Sequence, residues 1–245
     1  MKVSAIVNCS YEGLLLKPTL ESALRSIEAS GIAQECEIVV VADNANPTTL
    51  EVLASYGDRL SQIVRTGHRD LGRARNEGAA AARGELALFC DGDDLWSRNW
   101  VAAAWAEHTA SARQTVLHPE FALLFGGESP KILTHADWRD GYFDPRLLVA
   151  RSYWISSCGV RRETLMEIPY PSTDVERGLG IEDWSWYAEL IGHGFRHAVV
   201  ADTVHFIRQK ATRSLLKAVN GFDRMPSLAF AEFMAADDPL RPNDL

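Results

Sequence analysis

The sequence lacks paired cysteines. Its four stand singly, at positions 9, 36, 90 and 158, with no Cys-x-x-Cys. Three lie in or beside apolar, strand-like runs, so they read as reduced, mostly buried thiols of a cytoplasmic protein and exclude a zinc site or a disulfide frame. Positive charge is also scarce: 25 Lys and Arg face 33 Asp and Glu, for a net charge of -8. With no basic stripe, nucleic-acid binding has no support. No apolar run nears the length that spans a bilayer, which leaves only a peripheral contact, at the inner membrane face, open. The opening Met1 to Asn8 reads as a strand too short for a secretion signal. Repeats and low-complexity segments are missing. What remains is a chain of 245 residues, 47% hydrophobic, enough for one large core or a core with a small lobe.

The stretch Gly84 to Trp96 organises the rest. Leu86 to Cys90 is a short apolar run, the pattern of a buried strand in an α/β sheet. Asp91, Asp93 and Asp94 follow within four residues. On extended backbone Asp91 and Asp93 would share a side and Asp94 would point elsewhere. Gly92 allows a turn and a close backbone approach to a ligand. Two like charges about 4 Å apart repel by roughly 1 kcal/mol in water and by more where solvent is thin. Crowded carboxylates therefore call for a cation, and hard oxygen ligands suit Mg²⁺ or Mn²⁺. A solvated acidic turn is the competing reading.

Along the chain, strands are expected at Val3 to Val7, Ile38 to Val41, Gln62 to Arg65 and Leu86 to Cys90. Helices are expected from Leu20 to Ile27, from Pro47 (capped by Asn46) to about Leu60, and from Gly72 to Arg83, closed by Gly84. Alternating strand and helix means a mostly parallel sheet flanked by helices, with ligands at the carboxyl ends of the strands. Asn8, Tyr11, Glu12, Asp43 and the aspartates would then share one rim. Ser97 is expected to cap a helix over Asn99 to Ala110. Beyond Thr115 the alternation is lost and the pattern turns mixed: short strands at Thr115 to His118 and Phe121 to Phe125, an apolar run at Tyr153 to Val160, a helix from Arg161 to Met166, another from Ile181 to Ile191, then strands at Arg196 to Ala201 and Val204 to Ile207. A final amphipathic helix is expected near Leu215 to Val219. His68, His118, His135, Arg73 and Arg83 are expected at the surface.

Three segments, in order, carry a resemblance. They are Gly72-Arg-Ala-Arg-Asn-Glu-Gly with Phe89-Cys-Asp-Gly-Asp-Asp-Leu-Trp, Gly180-Ile-Glu-Asp-Trp-Ser-Trp, and Val204-His-Phe-Ile-Arg. Together they resemble the family 2 glycosyltransferases of the GT-A fold over most of residues 1–210. The first strand departs from that pattern: members end it in Pro-x-Tyr-Asn, and here it reads Asn8-Cys-Ser-Tyr-Glu. The resemblance implies a GT-A domain over 1–210, with a nucleotide-binding half (1–112) and an acceptor-side half (113–210), followed by a C-terminal helix and tail (211–245).

It also implies roles. A nucleotide-diphosphate sugar, UDP-linked by default, would be the donor. Asp93 would be the direct ligand of Mn²⁺ or Mg²⁺, with Asp91 beside it and His205 as a further ligand. Asp94 would bind donor hydroxyls or hold its loop. Arg208 and Lys210 are expected to share the side of His205 and meet the diphosphate. Asp183 would be the general base of an inverting transfer, and Glu182 would contact the acceptor or hold the site. Trp184 and Trp186 would stack on sugar or pack the core. Asp43, Tyr11, Asn8 and Glu12 would hold the nucleoside. Arg75 would meet the nucleotide or pair with Asp91. The acceptor would be a glycan or lipid-linked hydroxyl, and a homodimer is compatible with the sequence. The alternative is a module of the same fold that binds a sugar nucleotide or a partner without turnover.

Overall fold

Val3–Cys9 forms a strand (β1) buried along its whole length, as a central parallel strand covered on both faces must be. In the computed structural model of the chain, which describes residues 1–127, 129–209, 223–224 and 226–236, β1 has Cys36–Asp43 (β2) on one side and Leu86–Asp91 (β4) on the other, both parallel. Gln62–Thr66 (β3) continues the sheet beyond β2. The connecting helices are Leu16–Glu28 (α1), Pro47–Tyr56 (α2) and Leu71–Ala81 (α3). The Asn46 side chain caps α2 by accepting from Thr49 N, as expected. The helix ends earlier than expected, at Gly57, whose φ of 49° ends the right-handed turn.

The second half adds antiparallel strands, so the sheet is mixed. Leu95–Trp96 (β5) and Trp100–Ala110 (α4) follow the aspartates. Thr115–Phe125 is one long strand (β6), hydrogen-bonded to Lys131–Thr134 (β7), Gly159–Arg161 (β8) and Arg196–Arg208 (β10). Among the described residues the order is β3-β2-β1-β4-β8-β6-β10-β5, with β7 beside β6. Only β8 forms from the expected run 153–160. Likewise, the two late strands are one, β10, with a register shift between Val200 and Val204 where Asp202 takes φ 59°. Leu179–Gly180 (β9) pairs with Asp223–Arg224 (β11).

Helices cover both faces. One core joins the sheet to α1, α2 and α4 through Leu20, Leu53 and Trp100. The other joins it to α3, Arg162–Glu167 (α5), Glu182–Gly192 (α6) and Leu228–Ala235 (α7) through Ala74, Leu165, Trp186 and Phe230. Helix α7 was not expected from sequence; the helix expected near Leu215 to Val219 lies outside the described residues. No helix among the described residues is long and apolar enough to cross a membrane.

Three local expectations are corrected. Helix α3 ends at Ala81, so Gly84 is not its stop; a Cβ there would lie 2.5 Å from Ser4 N, and closeness to β1 explains the glycine. Ser97 does not cap α4 with its hydroxyl, which accepts from Val204 N at 3.1 Å and ties β10 to this turn. His118 and His135 are not surface residues: both are buried, together with His197. His118 Nε2 and His197 Nδ1 share a hydrogen bond of 2.9 Å, and Trp154 stacks on both rings. His135 Nδ1 donates to Pro119 O at 2.7 Å. The period-two rule held the signal, since His118 follows Val116 on the same face of β6 and Val116 is core.

Candidate active site

Strand β4 ends at Asp91, and Asp94 N donates to Asp91 O at 3.0 Å. The aspartates therefore sit on a tight turn, and the expected alternation of an extended chain does not apply to Asp93 and Asp94. Both are nearly enclosed, at 7% and 5% exposure. Asp94 holds its loop: its Oδ1 accepts from Arg208 N at 2.8 Å, while Arg208 Nε donates to Asp93 O at 3.2 Å. The end of β10 thus braces the turn. Gly92 is a packing requirement, since a Cβ would meet Asn8 O and Cys9 Cβ at 2.9 Å.

Asp91 keeps a partly exposed side chain and is held from two sides. Its Oδ2 accepts from Ser156 Oγ at 3.0 Å. Its Oδ1 accepts from Arg75 Nη2 at 3.2 Å. Arg75 is 0% exposed, and its Nη1 donates to Glu182 Oε1 at 2.5 Å. Burial works against the guanidinium charge, but Asp91 and Glu182 outweigh it and hold the proton more tightly than usual. Its Cζ lies 5.2 Å from the Tyr170 ring, which stacks on Trp186 at 4.1 Å.

Glu182 and Asp183 open α6, where the helix dipole favours acids. The residue before them, Ile181, has φ 58° and ψ 60°, a left-handed conformation that is costly for a β-branched side chain. Asp183 Oδ1 accepts from Trp184 N at 2.7 Å. Burial, then the neighbouring charge of Glu182, raise its pKa to about 7 against the pull of Arg75. Trp186 is fully buried and donates to Ile168 O. Trp184 Nε1 donates to Leu148 O at 2.8 Å. Both indoles are structural in this state.

At the end of β1, Asn8 registers with Asp91 on β4. It is 5% exposed, and both amide atoms lack a hydrogen-bond partner among the described residues. Tyr11 is exposed and its hydroxyl accepts from Asn44 Nδ2 at 2.7 Å. Glu12 Oε2 accepts from Ser10 N. Asp43 accepts from Thr66 Oγ1, His68 N and Asp70 N, which shapes the loop before α3. Asn76 exchanges two 2.9 Å hydrogen bonds with the backbone of Tyr170.

His205 does not join the aspartates. Its ring is fully buried, 6.0 Å from the stacked Trp96 and 4.9 Å from the edge of Trp100, with neither nitrogen hydrogen-bonded among the described residues. Burial pushes its pKa well below the usual histidine value. Nor do His205 and Arg208 share a side, because they are three residues apart on a strand. Lys210 lies outside the described residues. Among the described residues no group of three or more His, Cys, Asp and Glu side chains is arranged to hold a metal ion. The turn still fits a hard divalent cation of the kind bound by one or two carboxylates, with substrate phosphates completing the shell; the imidazole does not fit as a ligand.

Comparison with known proteins decides the family. The model of glycosyl transferase family 2 matches residues 4–149. The chain belongs to glycosyl transferase family 2. No curated protein matches it. Among solved structures, S. aureus TarS 1-349 in complex with UDP-GlcNAc is similar at TM-score 0.71 and 20% identity, covering 97% of this chain and 68% of that one. A mannosyltransferase from Pyrobaculum calidifontis, PcManGT, in complex with GDP-Man and Mn2+, is similar at TM-score 0.58 and 18% identity, over 87% of this chain and 58% of that one. The chain spans 40% of the longer TarS structure. These likenesses show the GT-A fold.

The family 2 match ends before α6, so the placement of Glu182 and Asp183 stands on geometry. Sequence reasoning missed Ser156, Tyr170 and the strained Ile181. No local pattern marks them, because each matters through a residue far along the chain. The one early sign was Arg75, whose pairing with Asp91 was weighed and is observed; its second partner, Glu182, was not foreseen.

Proposed function

We propose that this chain transfers a sugar from a nucleotide-diphosphate donor, UDP-linked by preference, to a hydroxyl of a glycan or lipid-linked acceptor, with inversion and with a divalent cation. One observation carries the reading: a single guanidinium, Arg75, joins Asp91 of the aspartate turn to Glu182 at the head of α6. The turn that would face a leaving diphosphate is thus tied to the start of α6, which also carries Asp183, the group that would accept a proton. TarS and PcManGT were solved with UDP-GlcNAc and with GDP-Man and Mn2+, which supports a nucleotide sugar as the donor class.

In this reading Asp93 and Asp91 hold Mn²⁺ or Mg²⁺, which when bound supplies charge stabilisation for the departing diphosphate. Arg208 braces the turn from behind. Tyr11 offers an exposed ring for the base, Asp43 a carboxylate oxygen for a ring N–H, and Asn8 and Glu12 border the nucleoside end. Asp183 takes the acceptor proton, and a proton affinity near neutrality suits that task.

The test is a panel of nucleotide sugars, screened for thermal stabilisation with and without Mn²⁺ and followed by NMR of the product. Stabilisation by one UDP-sugar and an inverted anomeric carbon are expected. No stabilisation by any donor, or retention at that carbon, would overturn the reading.

A further inference from the structure

We propose that Arg75 is a positioning residue that makes the carboxylate of Asp183 answer to occupancy of the aspartate turn. The inference rests on the functional reading above and concerns how the two ends of that site communicate.

The geometry is a wedge. Arg75 is fully buried, reaches Asp91 with Nη2 and Glu182 with Nη1, and lies over Tyr170. Tyr170 cannot retreat: Asn76 holds its backbone on both sides and Trp186 stacks on its ring. The guanidinium Nε has no partner among the described residues, so the fork is spent on these two carboxylates. The charges around Asp183 do not balance. Glu182 lies beside it on α6, and the charges of Arg75 on α3 and Asp91 on β4 act on it through space; Cys158, Tyr170 and Tyr187 are further titratable groups that feel its charge. One cation therefore serves three carboxyl groups, and the shortage is met by a proton on Asp183, held to about pH 7.

Of the two carboxylates on the Arg75 fork, Asp91 is the more open to a donor, its side chain being 26% exposed against 12% for Glu182. Positive charge delivered at the aspartate turn offsets Asp91 and leaves Arg75 to the α6 pair. The O–H bond of Asp183 then breaks, its proton passes to solvent buffer, and the base is left ionised. Donor loading thus arms the base. By reciprocity, a proton on Asp183 weakens donor binding by the same factor.

The experiment is calorimetric titration of UDP with Mn²⁺ at pH 7 in two buffers of different ionisation heat, which counts protons released without any turnover. Wild type is expected to release more than Asp183→Asn, with the excess vanishing at pH 9, where Asp183 is already ionised. Arg75→Lys, which keeps the charge but cannot fork across two carboxylates, is expected to bind UDP and lose the excess. Glu182→Gln, an isosteric change, keeps the test available should the Arg75 variant fail to fold: it removes the like charge, so Asp183 should titrate at lower pH by carboxyl-carbon NMR. Equal proton release by wild type and Asp183→Asn, with UDP bound by both, overturns the coupling and leaves the proposed function standing. No binding of UDP and Mn²⁺ by wild type overturns the proposed function, and the coupling with it.

Discussion

The two halves of the sheet treat buried polar groups differently. In the first half, the carboxylates at strand ends are steadied by donors: Asp43 by the loop before α3, Asp94 by the Arg208 amide, Asp91 by Arg75 and Ser156. In the second half, β6, β10 and the residue after β7 bury His118, His135, His197 and His205, three of them against tryptophan rings, and each ring leaves at least one nitrogen unpaired among the described residues. The first half gathers negative charge at its strand ends. The second half holds bases that burial keeps neutral. An acidic rim thus rests on a framework that resists charging.

The largest effect should come at the seam between them. Asp183→Asn should cut turnover by about 10²–10⁴-fold while UDP binding persists; full activity in a product assay would sink the base assignment. The same variant has a stability signature. Because the folded-state pKa of Asp183 is raised to about 7, its stabilising contribution is complete below the ordinary carboxylate range and is lost as pH rises through about 7. The asparagine variant should therefore melt higher than wild type at pH 8 and lose that advantage at pH 4, by differential scanning calorimetry. Next comes Arg75→Leu, which strands two carboxylates and should cost about 3–5 kcal/mol in urea denaturation. An equal cost from Arg113→Leu, whose exposed pair with Glu163 should be worth about 1 kcal/mol or less, would erase the contrast between buried seam and surface.

How much of this was legible in sequence follows the same division. Strands β1, β2 and β4 announce themselves by contiguous apolar runs, and Asn46-Pro47 marks the start of α2, because these are local signals. The aspartates were legible as a cluster, but their arrangement on a turn was not, since a turn depends on hydrogen bonds that close it. His205 was misread because its surroundings, Trp96 and Trp100, are more than a hundred residues away in sequence. His118 was legible through alternation with Val116, a rule that works on one strand without knowledge of its partner.

Acid should expose the second half. Burial lowers the pKa of His135 from its ordinary value to about 4. A histidine held neutral this way stabilises the fold above about pH 6.5, and that contribution is lost as pH falls toward the folded-state value. Stability should drop by about 3 kcal/mol on this account between pH 6.5 and 4; a His135→Gln variant should show a shallower decline in acid titration followed by denaturant. An unchanged slope would remove the histidine framework from the comparison. The smallest expected effect tests contact between the halves. Gly72 of α3 lies where a Cβ would meet Pro171 O at 2.4 Å, whereas Gly67 has open space. Gly72→Ala should cost about 1–3 kcal/mol and Gly67→Ala within about 0.5 kcal/mol of nothing, both by urea midpoint.

By itself the sequence determined the layered α/β frame, the rim on which polar strand ends gather and the acidic turn, because hydrophobic periodicity and short-range turn chemistry act between residues close along the chain. The tertiary structure decided which carboxylate shares a cation with which, that His118, His135 and His197 are buried together, and that His205 packs on tryptophan. Those outcomes depend on desolvation and on charge balance between β4, α3 and α6, and such energies exist only once distant segments have closed around one another.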